Sequence, residues 1–383
     1  MKETRIPVLS LQMSVVAMAI TSIGLVTPRL TEAFSLTTSQ QGMLVGVQYT
    51  GATIAALLGG AFCMKYGSAF ISRVLFACGA LFVLLFGFIP SYPFALLGVF
   101  LTGIVNFGLE NSIMASGLSI KEKAHFANSV IHTLFSVGAI TVPLIFLFFD
   151  SFGVWRPVYF TLAVLFAAAF FFSRGAPDTD RSKSIVSLLR GYTRYFSSSK
   201  YLLGAAVLFL YVAAEVGLWS LMPILVEATV GGSMSGIISS SLFWSMMLVG
   251  RMLSTALMRR VQSRTILLPF GVGAIVCYVL LIFLTGPVAI AFAALAGFFC
   301  APFFAFLSSW ATELAGDRSP AYLAFIMAFG MLGPVVLGWV VGILGSLVSG
   351  RFIILPALCC LVAMLLLYAV AASRKKASPA REA

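Results

Sequence analysis

The sequence predicts an all-α membrane protein with 12 transmembrane helices in two pseudo-symmetric six-helix bundles, and three observations carry this prediction. Hydrophobic residues make up 61% of the 383 residues and charged residues only 9%, against about 25% charged residues in a soluble domain. Twelve apolar runs are long enough to cross a bilayer, which takes about 20 residues in a helix. The two halves of the chain also match each other in sequence.

The apolar runs define the elements in order along the chain. In the first half the predicted spans cover approximately residues 8–33, 41–64, 69–90, 92–118, 124–149 and 154–173. In the second half they cover approximately residues 201–228, 234–259, 264–285, 287–312, 319–345 and 350–372.

The basic residues favour one side of the membrane, and this asymmetry predicts the topology. With the N-terminus in the cytoplasm, the loops on the opposite side contain only Arg29, Arg156 and Arg351. Both termini are therefore expected in the cytoplasm, with the protein in a bacterial inner membrane and surrounded by lipids. Because the net charge of +12 follows the topology, no nucleic-acid partner is expected.

One long polar segment divides the chain after the sixth span. We expect an N-terminal bundle over residues 1–173, a basic cytoplasmic linker over 174–200, a C-terminal bundle over 201–373 and a cytoplasmic tail over 374–383.

The two halves align at a nearly constant offset of 194 or 195 residues. Gly42 opens the second span and Gly236 the eighth, while Gly103 of the fourth span aligns with Gly297 of the tenth. A shared offset over half the chain is typical of two parallel six-helix repeats. Secondary transporters built in this way place the substrate site at the repeat interface near the middle of the membrane.

The loop after the second span resembles the signature of the major facilitator superfamily. The segment Gly60–Gly67 has the glycine, the basic residue Lys65, the aromatic residue and the final glycine of that signature, while Met64 occupies its usual acidic position. The resemblance implies a transporter fold and a gating role for Lys65.

The fourth and fifth spans are similar to those of the fucose:proton symporter subfamily. The similarity lies in the segments Gly108–Ser112 and Phe126–Ala139. It implies that Glu110 is the proton-linked carboxylate. The acidic residue that this subfamily has in the first span is missing here, where Ser22 to Pro28 contain no carboxylate.

Glu110 lies inside an apolar span, where a carboxylate is costly unless it faces a polar interior, so the default interpretation is functional. Asn106 lies one turn before it, and Asn128 and His132 are one turn apart on the next span at a similar depth. A Glu110–His132 contact would allow proton exchange near neutral pH, so we predict proton coupling at this pair and substrate contacts from the two asparagines. The alternative is that His132 only hydrogen-bonds a neighbouring helix.

A second carboxylate, Glu215, lies in the seventh span with Tyr211 and Trp219 one turn to either side. Aromatic faces beside a carboxylate suit a ring-shaped solute or a cation, so we predict a substrate contact here; packing between helices is the alternative. Further cavity residues are expected at Gln48, Tyr49 and Trp244.

Arg251 lies two turns before the cytoplasmic end of the eighth span, and Glu313 lies at the inner end of the tenth. An ion pair between them would act either as a cytoplasmic gate or as a plain anchor.

The sequence lacks several signatures of other function classes. It has no GxxxxGK[ST] phosphate loop, no HExxH motif and no cluster with metal-ligand spacing. We therefore expect no enzyme activity, no metal and no cofactor, with the proton gradient as the energy source.

These features together predict a proton-coupled secondary transporter that moves a small organic solute by alternating access and acts as a monomer. One alternative is an exporter of amphipathic or cationic compounds, and another is a non-transporting sensor or scaffold on the same fold.

Overall fold

The computed structural model describes residues 6–120, 124–173, 192–258, 263–316, 320–345, 347 and 350–377. Most of the predicted linker and the last six residues of the predicted tail lie outside these ranges.

The first half of the chain forms six helices joined by short loops. Their bounds are Ile6–Phe34 (α1), Thr38–Tyr66 (α2), Ser68–Phe86 (α3), Tyr92–Leu118 (α4), Ala124–Asp150 (α5) and Pro157–Phe172 (α6).

The second half repeats this arrangement with one helix broken in two. After a 3₁₀ turn at Arg194–Ser197 come Ser199–Val230 (α7), Ser233–Met258 (α8), Ser263–Phe283 (α9), Pro287–Cys300 (α10), Phe303–Ala315 (α11), Pro320–Ile343 (α12) and Leu355–Ala377 (α13).

These helices confirm the predicted fold class. In the part of the chain that the structure describes, 11 segments are long and apolar enough to span a membrane, and α6 is a shorter apolar helix. The predicted tenth span is one such segment but is broken after Cys300, where Ala301 and Pro302 separate α10 from α11. A proline lacks the N–H that a continuous helix needs at this position.

The repeat is visible in equivalent close contacts within each bundle. Gly103 of α4 packs against the carbonyl oxygen of Gln48 in α2, and Gly297 of α10 packs against the carbonyl oxygen of Phe243 in α8. The two glycines are 194 residues apart and their partners 195 apart. Both contacts are so close that a side chain would not fit without backbone movement.

A second pair of contacts follows the same offset. Gly138 of α5 meets the backbone of Ser14 in α1, and Gly333 of α12 meets the backbone of Phe209 in α7. Gly138 and Gly333 are 195 residues apart, and so are Ser14 and Phe209. The two halves therefore use the same helix packing, as expected for two parallel repeats.

Because short loops join successive spans, the helices alternate in direction and the molecule has two end faces. We call the end where α1 finishes and α2 begins the Arg29 face, and the opposite end, where α2 finishes, the Lys65 face.

The bundles meet most closely where the start of α2 crosses the end of α12, near the Arg29 face. A Cβ atom on Gly338 would lie 2.5 Å from the backbone nitrogen of Gly46, and one on Gly42 would lie 2.8 Å from Cγ1 of Val341. The two helix backbones are thus in direct contact, as small residues permit.

A second contact between the bundles joins α1 and α7. A Cβ atom on Gly24 would lie 2.9 Å from the carbonyl oxygen of Trp219. These two contacts both lie in the half of the molecule nearer the Arg29 face.

Candidate functional site

The two membrane carboxylates, one from each bundle, both lie within electrostatic range of one tyrosine. Tyr49 of α2 is within electrostatic range of both Glu110 of α4 and Glu215 of α7. Tyr49 is only 2% exposed, and its ring packs on Phe107 with 5.2 Å between the ring centroids. The sequence predicted each of these three polar residues separately, and the structure assembles them at the bundle interface.

Arg251 of α8 adds a positive charge to the same region. It interacts electrostatically with Glu215 and with His132 of α5. Its guanidinium donates hydrogen bonds to Oγ of Ser136 at 3.1 Å and to Sδ of Met247 at 3.4 Å. Because Ser136 belongs to the N-terminal bundle, this arginine links the two bundles beside the carboxylates.

Aromatic rings from both bundles flank the charged groups. Trp219, one turn from Glu215, lies 5.9 Å from Trp244 between ring centroids, and Trp244 lies 6.1 Å from Phe135 of the N-terminal bundle. Both tryptophans are buried. The site therefore combines carboxylates, a guanidinium and a phenol with flat apolar walls.

Tyr211, predicted to contact substrate, has a structural hydrogen bond. Its hydroxyl donates to the carbonyl oxygen of Cys300 at 2.8 Å. Cys300 is the last residue of α10, where the break before α11 disrupts the regular helical hydrogen bonding. Tyr211 thus satisfies a buried carbonyl at the helix break.

Asn106 and Gln48 face a small cavity inside the N-terminal bundle. The cavity has a volume of about 10 Å³ and is also lined by Ser22, Thr102 and Tyr159. Neither amide atom of Asn106, nor Oε1 of Gln48, has a hydrogen-bond partner among the described residues. Their predicted role in substrate binding stays a prediction, and the structure places them beside α3 and α6 as well as α1.

Other predicted residues lie apart from this region. Lys65 and Glu313 are exposed near helix ends, and Asn128 belongs to α5 but its side chain is outside the described part of the structure. The pairings of Glu110 with His132 and of Arg251 with Glu313 stay predictions, since the structure holds Arg251 against Ser136 and near His132.

A charged cluster at the Arg29 face was not predicted. Arg29 of α1 forms ion pairs with Asp150 of α5 and with Glu227 of α7. The sequence contained one signal, because Arg29 is among the few basic residues on that side of the membrane. Which acids lie beside it depends on how three distant helices pack, which the sequence pattern does not show.

The chain also matches the family model of the Major Facilitator Superfamily over residues 9–294. The protein belongs to the major facilitator superfamily. It is thus an integral, multi-pass membrane protein of a transporter family, rather than a member of an enzyme family. A search of curated proteins finds no match.

Solved structures of transporters share the fold. The nucleoside transporter NupG is 14% identical, with a TM-score of 0.72 over 97% of this chain and 98% of that one. The E. coli fucose:proton symporter is 15% identical, with a TM-score of 0.65 and coverage of 96% and 98%. An inward-facing, unoccupied bacterial homologue of the human lysosomal transporter Spinster is 15% identical, with a TM-score of 0.68 and coverage of 97% and 95%.

Proposed function

We propose that this superfamily member is a proton-coupled secondary transporter that moves a small, polar, ring-containing organic solute by alternating access. The observation that carries the proposal is that Glu110 and Glu215, from different bundles, both lie within electrostatic range of Tyr49. Carboxylates are costly inside a membrane and mark proton or substrate pathways. Here each bundle supplies one carboxylate to the region around Tyr49, where a bound solute would meet both bundles.

The groups at the site suit different tasks. Glu110 takes the coupled proton, as the resemblance of its span to the fucose symporter subfamily implies, and His132 modulates that step. Glu215 and Arg251 bind hydroxyl or carbonyl groups of the solute, because a carboxylate accepts hydrogen bonds and a guanidinium donates them. Trp219 and Trp244 flank the ring of the solute.

The names of the structural relatives agree with this solute class. A nucleoside and fucose both carry a hydroxylated ring, and the transporters of both share this fold. At 14% and 15% identity they support the class of solute and not its identity.

The close contact at the Arg29 face supports alternating access. If both termini are cytoplasmic, as the charge distribution predicts, the Arg29 face is the outer face and is closed in this structure. Transport then requires the bundles to separate at that face and to approach each other at the Lys65 face.

Uptake into proteoliposomes tests the proposal. A thermal-shift screen of sugars, nucleosides, carboxylates, amino acids and cationic drugs first selects the solute. Wild-type protein should accumulate it when an inward proton gradient is imposed. Glu110→Gln should lose gradient-driven uptake but keep exchange of labelled for unlabelled solute, because the bundles still move while the proton carrier is gone.

Two variants provide controls. Glu110→Asp keeps a titratable group and should retain part of the driven uptake, and Glu382→Gln removes a carboxylate from the C-terminal tail and should have no effect. Undiminished driven uptake in Glu110→Gln would refute the proton role. Extrusion of toxic cations without solute accumulation would favour an exporter, and ligand stabilisation without flux would favour a sensor.

A further inference from the structure

Arg29 is a charged residue placed almost entirely inside the protein. Its side chain is only 4% exposed, although it lies little more than one turn before the end of α1. Nε lies 2.8 Å from Oδ1 of Asp150, and the second amino group lies 3.3 Å from Oδ2. This two-point pairing fixes the orientation of the guanidinium within the N-terminal bundle.

The same guanidinium also reaches the C-terminal bundle. Nη2 of Arg29 lies 3.5 Å from Oε1 of Glu227, which is 16% exposed. Glu227 reaches this position because Gly236, at the start of α8, has no side chain. A Cβ atom on Gly236 would lie 2.7 Å from Oε1 and 2.8 Å from Cγ of Glu227.

We propose that Arg29, Asp150 and Glu227 form an ionic latch that holds the Arg29 face closed. When the bundles separate, the Arg29–Glu227 ion pair breaks and the Arg29–Asp150 ion pair remains. Arg29 and Asp150 move together because both belong to the N-terminal bundle. Glu227 belongs to the other bundle, about 18 Å along α7 from Glu215 at 1.5 Å per residue. The latch is therefore remote from the carboxylates of the proposed transport site.

The two acids have opposite effects on the equilibrium between closed and open forms. Glu227 meets Arg29 only in the closed form, so it favours closure. Asp150 pairs with Arg29 in both forms, and in the closed form it repels Glu227. In the open form Asp150 keeps the guanidinium paired, and an unpaired, partly buried charge would oppose opening. Asp150 therefore lowers the cost of opening.

A third acid serves as an internal comparison. Glu32 lies 3.6 Å from Nη1 of Arg29, but its side chain is 70% exposed and it follows Arg29 by three residues on the same helix. The exposed pair itself contributes little, but Glu32 also lies within electrostatic range of Glu227 and repels it in the closed form.

Spin labels on the Arg29 face test the latch directly. Pro90 and Thr285 are exposed in loops of the two bundles on this face, so Pro90→Cys and Thr285→Cys accept labels after the native cysteines are replaced by alanine. Pulsed electron paramagnetic resonance then measures the populations of short and long label distances in full-length protein in nanodiscs.

We expect substitutions of Glu227 and Asp150 to change the ratio of long to short label distances in opposite directions. Glu227→Gln should raise the ratio of long to short distances by roughly tenfold, since it removes a hydrogen-bonded charge partner of the closed form. Asp150→Asn should lower that ratio below the wild-type value, and Glu32→Gln should lower it less, because the Glu32 side chain is 70% exposed and screened by solvent. Glu227→Ala and Asp150→Ser replace either variant that fails to fold.

A ratio that does not rise in Glu227→Gln, or that rises in Asp150→Asn, would overturn the latch. The inference rests on the proposed transport function only because it requires the two bundles to separate. The label distances measure that separation without any solute. Normal driven uptake with unchanged distances in Glu227→Gln would reject the latch and leave transport standing. The expected distance shifts without any solute flux would reject transport and leave the latch standing.

Discussion

Tyr211 and Tyr49 show how similar buried residues acquire different tasks. Both are tyrosines at most 2% exposed, and the sequence predicted a place at the cavity for each. The structure gives the Tyr211 hydroxyl a backbone acceptor at the break in the tenth span, whereas Tyr49 lies in range of two carboxylates. The hydroxyl of Tyr211 therefore supports the helix break, although Tyr211 also interacts with Glu215 at the edge of the proposed site, whereas Tyr49 lies between the two bundles' carboxylates.

Substitution of each tyrosine by phenylalanine should separate these tasks. Tyr211→Phe leaves the buried carbonyl of Cys300 without its donor, so it should destabilise the protein by about 1–3 kcal/mol and lower the melting temperature. Tyr49→Phe should change solute affinity or driven uptake with a smaller effect on melting. A larger fall in melting temperature for Tyr49→Phe than for Tyr211→Phe would contradict these assignments. Melting curves measure the stability of each variant, and uptake kinetics measure its transport.

Asn106 gives a second prediction at this scale. An amide with no partner among the described residues costs free energy, so Asn106→Leu should raise the melting temperature. Asn111 on the same helix is the matched control, since its Nδ2 donates to the carbonyl oxygen of Ala55 at 3.2 Å and Asn111→Leu should be destabilising. A lower melting temperature for Asn106→Leu would show that its amide is satisfied in the membrane.

Among the elements, α2 and α12 make the close backbone contact between the bundles at the point where they cross. Gly338 brings the two backbones together, while Gly342, one turn later, leaves 3.4 Å between an added Cβ and Cγ of Met43. These glycines are one helical turn apart in the sequence. The space available for a side chain differs between them because the two helices cross at Gly338.

Gly338→Ala should therefore prevent full closure of the Arg29 face and reduce transport by at least about tenfold, since a backbone clash cannot be relieved by side-chain rotation. Gly342→Ala should be tolerated because its new methyl group makes only ordinary contacts. Solute uptake and the spin-label distances at the Arg29 face give the comparison. Equal activity of the two variants would show that this crossing does not limit closure.

For the whole molecule, alternating access requires the bundles to part at the Arg29 face. A covalent link between α2 and α12 should stop the cycle. The pair Met43→Cys and Gly342→Cys suits a disulfide, because Cγ of Met43 marks the place where a cysteine sulfur would lie and is 3.4 Å from the added Cβ of Gly342.

Oxidation of this double variant should abolish uptake, and reduction should restore it. Each single variant under the same oxidation is the control for damage elsewhere. Full uptake by protein that is demonstrably cross-linked would contradict a cycle in which this face opens.

The sequence by itself determined the membrane class, the twelve spans and the internal repeat, because hydrophobic length and residue spacing are local properties that a bilayer imposes on each segment. It also identified Glu110 and Glu215, since a carboxylate within an apolar span is conspicuous. Only the tertiary structure decided that both lie within electrostatic range of Tyr49, that Arg251 lies against Ser136, and that Arg29 joins two bundles through Asp150 and Glu227. Such partners lie between 61 and 198 residues apart in the chain, and their contacts depend on helix rotation and crossing, which no local pattern specifies.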